Sequence, residues 1–151
     1  MTTKQDYETP QEFIDIVSRE FGVTFDIDLA ASRENKKAYN YVDAETDSLS
    51  LYWSNIIGPG CTGWLNPPFR NVAPWMKKCA ETKANGRRVI ALVLASVGSS
   101  WYAEHVAPHA QVYALSPRIT FVGETQPFTK DLILCDFRPG FGPSFTTWRW
   151  K

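Results

Sequence analysis

The tetrapeptide Asn66-Pro67-Pro68-Phe69 combines residue types that answer a defined chemical problem. An amine conjugated to an aromatic ring, such as N6 of adenine, is a poor nucleophile because its lone pair is delocalised into the ring. Two hydrogen-bond acceptors set against its two protons draw that pair back onto nitrogen. The side-chain oxygen of Asn66 can supply one, and the carbonyl of Pro67, placed by the fixed φ of proline, the other. No general base is required, since the alkylated ammonium is acidic enough to lose its proton to water. Phe69 follows where a ring can stack on a base turned out of a duplex, which offsets part of the roughly few kcal/mol that flipping costs. The competing reading is a turn stiffened by two prolines.

Position separates the two readings. Thr62 to Leu65 reads as a short strand running into the tetrapeptide, and Pro74 opens a helix that carries Trp75, Met76, Cys79 and Ala80 and ends at Asn85-Gly86. Val89 to Leu94 is an apolar run of the kind expected for a parallel strand covered on both faces. A helix over Ser100 to Val106 stops before Pro108. The alternation is α/β, and open α/β sheets bind ligands beyond the carboxyl ends of their strands, where this tetrapeptide falls.

Upstream, Thr9-Pro10-Gln11-Glu12 has the form of a capping box: an N-cap hydroxyl, a proline at the first helical position and a glutamate three residues after the cap. Phe13, Ile14, Val17 and Phe21 continue at helical spacing and Gly22 supplies the stop. Val23, Phe25, Ile27 and Leu29 alternate with polar residues, which predicts a strand with one apolar face and Asp28 near its carboxyl end. The polar stretch from Ala30 to Gly63 holds short candidate strands near Ala38 to Val42 and Leu49 to Tyr52. Downstream, Gln111 to Leu115, Ile119 to Val122, Leu132 to Phe137 and Phe145 to Trp150 read as strands joined by Gly/Pro-rich turns, an antiparallel edge. With no internal repeat or linker, residues 1–151 are expected to form one domain.

The chain carries 16 basic and 16 acidic residues, so a nucleic-acid partner has to meet a local basic patch rather than a positive molecule. Lys77, Lys78, Lys83, Arg87 and Arg88, around the helix after the tetrapeptide, are the candidates, against the alternative of a solvated helix face. Trp148-Arg149-Trp150 reads as the close of a sheet rather than a stacking surface. Cys61, Cys79 and Cys135 are odd in number and lack CxxC spacing, as expected of reduced thiols. No apolar run reaches the roughly 18 residues of a spanning helix, and MTTKQDYETPQ lacks the apolar centre of a signal peptide. A soluble, cytoplasmic protein is expected. His105 and His109 are interrupted by Pro108 and lack a third ligand, so no metal is expected.

Over nearly its whole length the chain resembles the small phage-encoded DNA N6-adenine methyltransferases, within the wider amino-methyltransferases bearing Asn/Asp-Pro-Pro-Tyr/Phe. The resemblance runs through Glu8-Thr9-Pro10, Phe25 to Ala31, Asn35, Tyr41, Asp47-Ser48-Leu49, Trp53, Trp64 to Phe69, Pro74-Trp75 and Arg118 to Phe121. It implies a minimal Rossmann-like S-adenosylmethionine-dependent methyltransferase fold, with a mixed sheet and antiparallel C-terminal strands. The implied reaction moves a methyl group from S-adenosylmethionine to N6 of a flipped adenine in DNA, in the bacterial cytoplasm if the chain is phage-encoded. Asn66, Pro67, Pro68 and Phe69 are then the catalytic loop. The implied cofactor contacts are Thr9 and Pro10 beside the methionine moiety, Asp28 with Ala30, Asp47 near the adenine of the cofactor, and Asn66. Asp43 or Glu45 is the candidate partner of the ribose.

Asp28-Leu29-Ala30-Ala31-Ser32 lacks the glycines usual at this turn, with small residues in their place. Arg118 belongs to an Arg-Ile-x-Phe element and either touches a phosphate, braces the site or forms a structural ion pair; with Lys77 and Lys78 it is the candidate for DNA contact. No separate target-recognition domain is expected, which leaves specificity to the loops at 30–63 and 123–130, to a homodimer, or low. A glutamine side-chain amide poses the same electronic problem as adenine N6, so protein methylation is the alternative reaction. A catalytically silent DNA-binding or host-protein-binding relative is the non-enzymatic one.

Overall fold

A computed structural model describes residues 7–151. Its elements are α1 (Gln11–Phe21), β1 (Phe25–Asp28), β2 (Asn40–Tyr41), α2 (Trp53–Ile56), β3 (Thr62–Leu65), α3 (Ala73–Ala84), β4 (Arg88–Leu94), β5 (Gln111–Ser116), β6 (Leu132–Phe137) and β7 (Ser144–Arg149). The strands form one mixed sheet in the order β2-β1-β3-β4-β6-β5-β7. β2, β1, β3 and β4 run parallel, while β6 lies antiparallel to both β4 and β5.

The sheet is covered on both faces. Along β4, Val89, Ala91 and Val93 face Met76 and Cys79 of α3, whereas Ile90 and Leu92 belong with Phe13, Ile14 and Val17 of α1. All six residues of β6 are buried. That apolar run cannot sit at an edge, and it is inserted between β4 and β5. The mostly exposed β7 takes the edge instead and pairs parallel to β5. The expected antiparallel C-terminal strands are found in the pairs β4–β6 and β6–β5, and the expectation is corrected at the edge, where β7 runs parallel to β5; among the described strands only β6 runs against the rest.

Four further expectations change. β1 does not keep one apolar face, because Val23 and Phe25 pack on the α1 side while Ile27 and Leu29 pack on the α3 side. A bulge between Phe25 and Ile27 causes the switch, with the Asp26 carboxylate accepting the Thr62 N–H at 3.0 Å. Leu49 to Tyr52 is not a strand but a 3₁₀ turn at Ser48–Ser50 leading into α2. The buried indole of Trp53 donates to the Ser48 carbonyl at 3.0 Å and its hydroxyl at 3.1 Å, which folds the segment back on itself. Ile119 to Val122 is also not a strand. The Val122 N–H goes to the Glu8 carbonyl at 3.0 Å and the Ile119 carbonyl takes the Phe128 N–H at 2.8 Å, so this segment braces the start of the described chain. The helix expected over Ser100 to Val106 is present, but it widens into a π-helix over Tyr102–Val106.

Elsewhere β3, α3 and the αL stop of α1 at Gly22, with φ 64°, agree with the sequence reading. Trp148 and Trp150 close the sheet against Phe13 as expected. No described helix is long and apolar enough to cross a membrane.

Candidate active site

The adjacent strands β1 and β3 end side by side, and the loops leaving them form opposite walls of one cleft. The Leu29 N–H bonds to the Trp64 carbonyl at 2.9 Å and the Val42 N–H to the Asp28 carbonyl at 2.9 Å, which ties the walls together at their base. The cleft encloses about 630 Å³ and brings together Thr9, Asp28, Ala30, Asp43, Glu45, Asp47 and Asn66, with Pro68 and Trp75. Pro10, Pro67 and Phe69 do not line it. Pro10 instead caps α1 with its carbonyl, which accepts the Phe13 N–H at 3.1 Å.

Asn66 is the centre of the arrangement. Its Nδ2 donates to the Tyr7 carbonyl at 2.5 Å and to Thr9 Oγ1 at 3.0 Å. A carbonyl can only accept, so the amide nitrogen must face it. Its Oδ1 is buried and has no hydrogen-bond partner among the described residues. A buried acceptor without a donor costs roughly 1–3 kcal/mol; on the cleft wall, Oδ1 is open to a donor from a water or a ligand. The capping box is corrected by the same contacts: Thr9 is buried and its hydroxyl serves Asn66, while α1 has no side-chain cap. Thr9 comes one residue too early in the chain to cap a helix that begins at Gln11.

Phe69 is half-buried in a ring cluster rather than presented to the cleft. Tyr7 stacks on it with centroids 5.5 Å apart and planes at 26°, and Phe121 and Phe128 lie at 6.3 and 5.9 Å. Tyr7 thus touches both ends of the tetrapeptide, with its carbonyl on Asn66 and its ring on Phe69. It carried no signal in the sequence because its partners lie some sixty residues or more away.

On the opposite wall, Asp28 is 3% exposed. Its Oδ1 accepts the Ala30 N–H at 3.2 Å and its Oδ2 the Lys37 N–H at 3.0 Å, which closes the glycine-free turn around one carboxylate. Burial pushes its pKa up to about 6, against the pull of those two N–H groups and the Lys37 ammonium. That ammonium is itself buried and bonded to the Glu8 carboxylate at 3.0 Å. Glu8 and Lys37 line the same cleft, and their pairing carried no signal in the sequence because they stand 29 residues apart. Asp47 is exposed and left-handed, with φ 57°, at the rim.

The lining suits a ligand that carries both a cationic group and an aromatic ring. Carboxylates from Asp28, Asp43, Glu45 and Asp47 share the cleft with the Trp75 ring, and the volume is that of a small-molecule site. Among the described residues no cluster of three or more His, Cys, Asp or Glu could hold a metal ion.

Residues 1–131 match the family described as DNA N-6-adenine-methyltransferase (Dam). The chain belongs to that family. Two phage proteins named DNA N-6-adenine-methyltransferase are similar to it: one of Escherichia phage T1, 29% identical over 135 residues, and one of Haemophilus phage HP1, 26% identical over 140 residues. The alignments cover 79% and 88% of this chain, and 55% and 78% of those proteins. The chain thus spans about half the length of the T1 relative. In this Dam family member the matched region contains the whole cleft and stops just before β6.

The cations expected to meet DNA divide into two groups. Lys78 donates to the Leu49 carbonyl at 3.1 Å and lies over the Trp53 ring, Lys83 donates to the carbonyls of His109 and Phe141, Arg87 to that of Ile57, and Arg88 pairs with Asp136. These four brace the fold and do not form the free patch considered from the sequence. Lys77 is exposed, and Arg118 forms an exposed ion pair with Asp131 at 2.9 Å.

Proposed function

We propose that this chain is a minimal, single-domain, Rossmann-like methyltransferase that transfers a methyl group from S-adenosylmethionine to N6 of a flipped adenine in DNA, acting in the host cytoplasm. The unpartnered Asn66 Oδ1 carries this reading. An exocyclic amine has the donor that this acceptor lacks, and accepting its proton increases the lone-pair density on nitrogen. The Pro67 carbonyl would accept a hydrogen bond from the second amine proton. Asp28, Asp47 and Ala30 would hold the cofactor, with Asp43 or Glu45 at its ribose. Bound there, S-adenosylmethionine supplies an electrophilic methyl group, and the enzyme's part is to hold the amine in line with it.

Phe69 would reach the base only from the ring cluster that Tyr7, Phe121 and Phe128 form around it beside the cleft. Lys77 and Arg118 are the remaining candidates for phosphate contact. Membership of the family favours DNA over a protein glutamine as the acceptor.

Mass spectrometry of digested DNA tests the reaction. Incubation of DNA with the chain and S-adenosylmethionine should give N6-methyladenine well above an Asn66→Ala control that retains its fold. Methyl transfer to a protein extract but not to DNA would sink the proposal and favour the glutamine reaction, and cofactor binding with transfer to neither would leave a silent relative.

A further inference from the structure

We infer that Thr9 is a positioning residue for methyl transfer, acting through the side-chain amide of Asn66 rather than through the cofactor. The inference rests on the proposed role of Asn66 and adds what holds that role in place. A carboxamide presents two nearly isosteric ends, and rotation by 180° about the terminal bond exchanges oxygen for NH2. A flipped Asn66 would present donors to the substrate amine and could not polarise it. The orientation is therefore itself a catalytic requirement, and the backbone of the tetrapeptide cannot select it.

Both amide protons of Asn66 are taken, one by the Tyr7 carbonyl and one by Thr9 Oγ1. Both acceptors come from the same short strap leading into α1. That strap is held from three directions: the Glu8 carbonyl by the Val122 N–H at 3.0 Å, the Glu8 carboxylate by Lys37, and the Tyr7 ring by Phe69, Phe121 and Phe128. Thr9 is 2% exposed, and because α1 has no side-chain cap its hydroxyl is not engaged in starting the helix. Valine is close in shape to threonine and lacks its hydroxyl, donor and acceptor together, which removes the hydrogen bond from Asn66 Nδ2 while the Tyr7 carbonyl, an acceptor only, stays in place.

The test uses the full chain with Thr9→Val and Thr9→Ser. Proton exchange at the Asn66 side-chain amide, read by NMR without cofactor or DNA, should show both protons protected in the native chain and in Thr9→Ser, and one losing protection in Thr9→Val. At saturating S-adenosylmethionine and DNA, Thr9→Val should slow methyl transfer by roughly tenfold, the worth of one buried hydrogen bond. Cofactor affinity by calorimetry should stay within about twofold, and Thr9→Ser should restore the rate, as expected if only the acceptor matters. Weakened cofactor binding with an unchanged saturating rate would overturn the inference and make Thr9 a cofactor contact. Unchanged amide exchange in Thr9→Val would overturn it as well. If the native chain methylates no DNA while the exchange still responds to Thr9→Val, the proposed reaction fails but the orienting contact stands.

Discussion

The two walls of the cleft are built on different physics. The loop after β3 holds Asn66 and Phe69 with neutral contacts, two amide hydrogen bonds and a cluster of rings. The loop after β1 is closed around a buried carboxylate, Asp28, with Lys37 and Glu8 beside it. The first wall should be insensitive to pH and intolerant of shape changes; the second should be the reverse. Division of this kind would keep the Asn66 amide fixed while the charged wall responds to pH.

The largest effect is expected at Asn66. Asn66→Ala removes the polarising acceptor and should lower methyl transfer by about 10²–10³-fold, the scale for loss of one preorganised electrostatic contact, with cofactor affinity by calorimetry nearly unchanged. Asn66→Asp is the sharper variant. It keeps an acceptor but sets a carboxylate oxygen against the Tyr7 carbonyl, which can only accept, so chemical denaturation should show a loss of about 1–3 kcal/mol, and transfer should fall with it. An Asn66→Asp chain as stable and active as the native one would mean that the strap does not define the first wall.

Next in size is the pH response of the second wall. With the Asp28 pKa at about 6, its carboxylate is mostly ionised at pH 7.5 and mostly protonated at pH 5. Affinity for cationic S-adenosylmethionine should therefore fall by about tenfold between those values, and Asp28→Asn should flatten the profile at the weaker level. The sign for stability is opposite. Because the folded value lies above the ordinary 3.8, the stabilisation by protonation is complete below about 3.8 and is lost as pH rises through about 6. Thermal melts of the apo chain should show this decline, reduced in Asp28→Asn. A cofactor affinity flat across that range would remove the contrast between the walls.

The smallest effect separates bracing from DNA contact. Lys78→Met should lower the melting temperature by about 2–4 °C, as expected for about 1 kcal/mol in a chain of this size, and should leave the salt dependence of DNA binding unchanged, since its ammonium already serves the Leu49 carbonyl.

The wall that carries Asn66 was legible in the sequence because it is local: a four-residue strand, two prolines and a helix opened by Pro74 are contiguous, and each has its own short-range signal. The reading failed where the partner is distant. Thr9 looked like a cap because hydroxyl, proline and glutamate have the right spacing, yet its partner is Asn66, 57 residues on. The alternation of Val23 to Leu29 is real in the chain, but a bulge that depends on β3 turns half of it to the other face. Leu49 to Tyr52 and Ile119 to Val122 have strand-like composition, and backbone pairing elsewhere overrides it.

By itself, then, the sequence determined the α/β order, the place of Asn66-Pro67-Pro68-Phe69 at the end of a strand, and the family. Periodicity, prolines and motif are properties of neighbouring residues, which chain connectivity alone brings together. Only the tertiary structure decided that the strap at Tyr7 to Thr9 orients the Asn66 amide, that Asp28 is buried into an unusual protonation range, and that most of the expected basic patch is bonded within the fold. Those outcomes depend on which groups lose water to one another when the sheet assembles, and desolvation is a property of the packed molecule.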